Sequence, residues 1–177
     1  MAAISFIGTL VARFFQILFA IVVLGLSVTM AKWQRFGSPP ATTEYGAFSG
    51  GFAFLVGLLG IVAVFLDAIP AIIVAGADAL AAILTLAAGI AYVVTTRGVS
   101  CDSLDDTSTN SLINGGSVNV KDSRPIAGYD TQDQLTGRCK KVEADYVFMF
   151  LTFALSAILV GLGLLTNGRR SGSKAMV

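Results

Sequence analysis

The stretch Ala12-Arg13-Phe14-Phe15-Gln16-Ile17-Leu18-Phe19-Ala20-Ile21-Val22-Val23-Leu24-Gly25-Leu26-Ser27 sets one cation and one amide among long apolar side chains. Its small and polar members follow a helical rhythm. Arg13, Gln16, Ala20, Val23 and Ser27 are spaced by three, four, three and four residues, which is one face of a helix. The stretch reads as a membrane-crossing helix with one inward stripe and a broad apolar surface for lipid.

Working outward, apolar runs at 14–31, 46–66, 71–94 and 147–166 contain 18, 21, 24 and 20 residues. A helix rising 1.5 Å per residue needs about 20 residues to cross ~30 Å of hydrocarbon, so each run can span. Of 177 residues, 55% are hydrophobic and 13% charged, with a mean hydropathy of +0.78, which excludes an ordinary soluble domain. The expected fold is an all-α integral membrane protein, a bundle of four transmembrane helices. Its spans are about 10–31, 46–66, 71–94 and 147–166, inside a membrane domain covering 1–168. One long extramembrane loop at 95–146 and a short basic tail at 169–177 complete the chain. The first span has no basic segment before it and no small-residue cleavage site after it, so it is expected to remain on the mature protein.

The connections carry their own punctuation. Residues 32–45 hold Trp33, an interfacial residue type, and Pro39-Pro40, which ends a helix. Asp67-Ala68-Ile69-Pro70 is a tight turn that predicts an antiparallel hairpin of spans two and three, with Asp67 solvated or capping. Asn167-Gly168 reads as a helix stop ahead of Arg169, Arg170 and Lys174.

Span two carries Gly46, Gly50, Ala53, Gly57 and Gly60 on one face, a groove for close helix packing. Span three carries Asp78, Ala82, Thr85, Gly89 and Tyr92 in the same rhythm. Arg13 and Asp78 lie at similar depth on parallel spans, so an ion pair between them, with Gln16 bonding the carboxylate, is one reading. The alternative has Arg13 snorkelling to the headgroups and Asp78 bonded to threonine or backbone. Leu86…Tyr92…Arg97 and Arg13-Phe14-Phe15…Leu18 match sterol-contact patterns. With Trp33, Arg169, Arg170 and Lys174 they form the candidate lipid contacts.

Enzyme chemistry lacks its parts. There is no histidine, two cysteines cannot alone complete a zinc site, and no phosphate-binding glycine loop precedes a lysine. No catalytic or metal residue is therefore assigned, and no cofactor beyond bound sterol or sphingolipid. A net charge of +1 without a basic stripe argues against nucleic acid. Lysine and arginine counts favour the long loop inside, whereas Cys101 and Cys139 near its ends favour an oxidising exterior. If joined, they would close a loop worth about 4 kcal/mol in chain entropy. The other possibility is two free thiols in a cytosolic loop.

Residues 12–27, with Arg, then Gln, then Phe-Ala and Val-Leu-Gly-Leu-Ser, resemble the first span of fungal MARVEL-domain tetraspan proteins. Ala77-Asp78-Ala79-Leu80 through Thr85-Leu86-Ala87-Ala88-Gly89 is similar to the acid-containing third span of their non-classical export protein branch. Ser100-Cys101 and Gly137-Arg138-Cys139 resemble that branch's paired cysteines. The aromatics that often follow the span-three acid in that family are replaced here by alanines. The resemblance implies a plasma-membrane protein with both termini cytosolic, the long loop extracellular, and concentration in eisosome-like furrows. It further implies a scaffold, not an enzyme, that self-associates, acts with membrane lipids and neighbouring membrane proteins, organises sphingolipid- and sterol-rich microdomains, and takes part in unconventional secretion, including secretory vesicles. Two other readings remain: a small channel or transporter using Arg13, Gln16 and Asp78, and an accessory subunit docking a partner through the span-two glycines.

Overall fold

The structure is a computed structural model that describes residues 2–65, 69–118 and 126–174. Four long helices dominate it: α1 (Ala2–Lys32), α2 (Ala41–Phe65), α3 (Ala71–Thr95) and α5 (Gln132–Lys174). A short α4 (Leu104–Thr109) and a two-residue antiparallel ladder, β1 (Ser117–Val118) with β2 (Ile126–Ala127), lie in the long connection. Each long helix contains a segment long and apolar enough to cross a membrane. The helices close a ring in which α1 packs on α2 and α5, and α3 packs on α2 and α5. The protein is thus a four-span membrane bundle with a small structured cap.

Its surface is inverted relative to a soluble bundle. Phe14, Leu55, Ile83 and Leu165 are each more than 60% exposed, whereas Gln16, Ser27, Asp78 and Ser156 are fully buried. That distribution is stable only where hydrocarbon replaces water outside. Inside, small residues decide how closely the helices approach. A Cβ on Gly50 would sit 2.8 Å from the Leu24 backbone nitrogen, and one on Gly57 would meet the Ile17 side chain at 2.6 Å, so α1 lies directly on the glycine face of α2.

Three boundaries differ from the sequence expectation. Helix α2 begins at Ala41, not near 46. Pro40 accepts the amides of Thr43 and Glu44 at 2.8 and 3.2 Å, and Glu44 sits in the first turn, where an acid suits the helix dipole. Helix α5 starts at Gln132, so part of the expected loop is helix. Its polar residues hid a buried face of Leu135, Cys139, Val142 and Met149, spaced as one side of a helix. Asn167-Gly168 does not stop α5, which runs on to Lys174, so the basic tail expected at 169–177 is largely helical. A glycine disfavours helix by about 1 kcal/mol and does not break it as proline does. Asp67 lies outside the described residues.

The long connection is sewn to the bundle. Leu112 and Ile113 are buried in the same cluster as Val23, Met30, Tyr92 and Met149. Cys101 and Cys139 form a disulfide, with Cα atoms 5.5 Å apart, linking the chain after α3 to the first turns of α5. Gly115 and Gly116 adopt φ of 72° and 85°, and a Cβ on Gly116 would strike the Phe36 carbonyl, so the connection also presses on the α1–α2 turn.

Candidate functional site: two intramembrane polar layers

Arg13 enters the bundle from α1 and meets Asp78 of α3 in a two-pronged pair, Nη1 to Oδ1 at 2.6 Å and Nη2 to Oδ2 at 2.5 Å. Arg13 Nη1 also donates to Gln16 Oε1 at 2.8 Å. Gln16 Nε2 donates to Asp78 Oδ1 and to Ser156 Oγ of α5, both at 3.0 Å. Three helices are joined by one neutral, hydrogen-bonded cluster. The fourth contributes space: a Cβ on Gly60 of α2 would collide with Nε and Cζ of Arg13. Two-pronged geometry with added donors is the arrangement that offsets the desolvation of a buried pair.

A second layer repeats the plan toward the cap. Ser27 of α1 donates to Asp145 Oδ2 of α5 at 2.7 Å, and its Oγ lies 3.3 Å from the Tyr92 hydroxyl of α3. Gly46 of α2 again supplies room, since a Cβ there would lie 2.6 Å from the Tyr92 hydroxyl. Among the described residues Asp145 Oδ1 and the neighbouring Thr43 hydroxyl have no hydrogen-bond partner, nor has Arg13 Nε in the first layer. Arg13 to Ser27 and Asp78 to Tyr92 are the same distance along parallel helices, about 21 Å at 1.5 Å per residue. Between the layers Ala20, Ala53, Val56 and Ala81 form an apolar band. The hydroxyls of Thr85 and Thr152 bond back to the carbonyls of Ala81 and Phe148 on their own helices. No polar side chain bridges the layers among these contacts.

The structure sorts the candidate residues. Arg13, Gln16 and Asp78 converge, and Gly46, Gly50, Ala53, Gly57 and Gly60 are buried on α2. Gly89 packs against the Phe150 ring. Tyr92 is corrected as a lipid contact: it is fully buried and its hydroxyl faces Ser27, so Leu86…Tyr92…Arg97 cannot present a sterol surface. The second sterol pattern loses Arg13 to Asp78 in the same way, although Phe14, Phe15 and Leu18 remain exposed. Trp33 is half-buried in the cap, with Arg138 and Lys141 cations 5.4 and 5.2 Å from its ring, so it is not a free headgroup anchor. Arg97 is exposed. The side chains of Arg169, Arg170 and Lys174 lie outside the described residues.

Sequence reading missed Asp145, Ser156 and Arg138. Asp145 was counted as loop, although it shares a helical face with Val142 and Met149. Arg138 is buried and donates to the carbonyls of Ile113 and Gly128, both at 3.2 Å, clamping the cap. On the surface, Arg35 and Asp130 pair at 2.6 Å, and hydrogen bonds from Arg35 hold the Asp130 carboxyl below the usual carboxylate range. No group of three or more metal-ligating side chains occurs among the described residues.

A ring of four apolar helices with an internally paired Arg13–Asp78 layer defines a multi-pass membrane protein. The sequence profile of the MARVEL family, a membrane-associating domain, matches residues 6–162, and the chain belongs to that family. Comparison with curated proteins and with solved structures returned no match.

Proposed function

We propose that the protein is a non-enzymatic organiser of the plasma membrane, self-associating in sphingolipid- and sterol-rich, eisosome-like furrows and linked to unconventional secretion. In this reading both termini are cytosolic and the disulfide-bonded cap is outside. The observation that carries it is the internal pairing of the Arg13–Asp78 layer and its separation from the second layer. Arg13, Asp78, Gln16 and Ser156 hydrogen-bond one another, and an apolar band separates them from Ser27, Tyr92 and Asp145. What remains available is the apolar exterior, whose natural contacts are lipid and other membrane helices.

The same band weighs against a conduit through Arg13, Gln16 and Asp78, because an ion would cross it past alanine and valine, with the Thr85 and Thr152 hydroxyls already bonded to their own helices. Docking of a partner subunit through the α2 glycines is disfavoured because α1 occupies that face. Extraction from native membrane in polymer-bounded discs, followed by mass and lipid measurement, tests the proposal. A homo-oligomer enriched in sterol or sphingolipid is expected. A monomer with bulk lipid composition refutes it.

A further inference from the structure

A groove of about 210 Å³ opens where α3 and α5 leave their apolar segments, beside the disulfide. Val93, Thr96 and Arg97 line it from the α3 side, and Cys139, Glu143 and Tyr146 from α5. Its position follows from sequence. Val94 is the last residue of the third apolar run and Val147 the first of the fourth, so the groove straddles the boundary between hydrocarbon and water. Arg97 and Glu143 are both exposed, carry opposite charge and line one groove. Among the described residues neither side chain has a hydrogen-bond or ion-pair partner. Two other facing pairs, Arg13–Asp78 and Arg35–Asp130, are joined. Here the two are held apart across an open space.

We infer that this groove binds the headgroup of a zwitterionic phospholipid, with the phosphate on Arg97 and the ammonium on Glu143 and Tyr146. Three features select that ligand. The volume is well above the ~10–15 Å³ that one water needs yet below the ~300 Å³ of a small drug site, a size that suits a headgroup better than a fused-ring sterol. The paired but separated charges match a dipolar group, whereas an anionic headgroup would meet Glu143 unfavourably. The Tyr146 ring adds a face for a quaternary ammonium. Val93, which is 40% exposed, begins an apolar wall along which the acyl chains lie. The site gives the organiser reading, on which it rests, a chemical preference in the leaflet on the cap side.

The test is native mass spectrometry of the full chain in detergent micelles doped with equimolar phosphatidylcholine, phosphatidylglycerol and cholesterol. The wild type is expected to retain phosphatidylcholine above the other two. Arg97→Gln lowers its occupancy roughly tenfold, the size of one charge-assisted hydrogen bond, and Arg97→Lys restores most of it. Glu143→Gln turns the preference toward phosphatidylglycerol. Unchanged phosphatidylcholine occupancy in Arg97→Gln, an unchanged preference in Glu143→Gln, or a wild type that favours phosphatidylglycerol or cholesterol overturns the assignment. Both side chains lack partners, so folding is retained, as the intact disulfide mass and Trp33 emission report. Oligomer mass in native discs is read separately: its loss in the wild type removes the organiser reading while leaving headgroup occupancy measurable.

Discussion

Removing Arg13 and removing Arg13 together with Asp78 should have opposite logic. In Arg13→Ala, Asp78 remains fully buried and keeps one donor, Gln16 Nε2, where it had three. Breaking a buried pair from one side destabilises by about 3–5 kcal/mol, because the surviving charge has no compensation. Asp78→Ala strands the guanidinium on Gln16 Oε1 and falls in the same range. Independent sites would then add to about 6–10 kcal/mol in the double variant. Arg13→Ala/Asp78→Ala instead leaves no charge in the layer and retains the Gln16–Ser156 bond. Its remaining loss is packing, about 2–4 kcal/mol, so the double variant should be no worse than either single one. The coupling energy is therefore ~3 kcal/mol or more. Unfolding in mixed detergent micelles, followed by circular dichroism and by emission of the single Trp33, measures all four proteins. A double variant that loses the sum of the singles would falsify the shared layer.

Other expectations separate packing from propensity. Gly60→Ala drives a methyl into the Arg13 guanidinium and should destabilise by about 2 kcal/mol or more, while Gly25→Ala, with nothing within 4 Å of its Cβ, should be neutral or stabilise by up to ~1 kcal/mol in the same assay. Cys101→Ser/Cys139→Ser should weaken the cap by about 4 kcal/mol for a separation of 38 residues, read as an earlier Trp33 transition, and two free thiols in non-reduced wild-type protein would contradict the bridge. Because Asp130 titrates below its ordinary value in the folded protein, its link to Arg35 contributes above the unfolded value and is lost as pH falls through the folded one. Carboxyl resonances should therefore show a higher Asp130 midpoint in Arg35→Gln than in the wild type.

Span count and inward faces were legible because the bilayer imposes simple rules. Four runs of sufficient length could be counted, and the stripes through Arg13, Gly50 and Asp78 follow from 3.6 residues per turn. Boundaries were less legible where polar residues remain helical. Gln132–Tyr146 reads as loop by polarity, and only the spacing of Leu135, Cys139 and Val142 marks it as helix. Asn167-Gly168 signals a stop that α5 overrides. The weak sterol patterns failed for a related reason: they mark residue types without stating which way a side chain faces. Tyr92 carries the right ring and the wrong direction.

Hydrophobic content and helical period follow from covalent sequence alone, so membrane insertion and the amphipathic stripes were decided before any helix met another. Which groups satisfy which is a property of the assembled ring. Ser156 joins Gln16 across 140 residues and Asp145 joins Ser27 across 118, distances no local rule spans. Folding brings α1, α3 and α5 to common depths, and the glycines of α2 let the backbones close until the polar groups reach hydrogen-bond distance. With water absent from that interior, an unpaired group is far more costly than in a soluble protein, so the tertiary arrangement is one that pairs most of them.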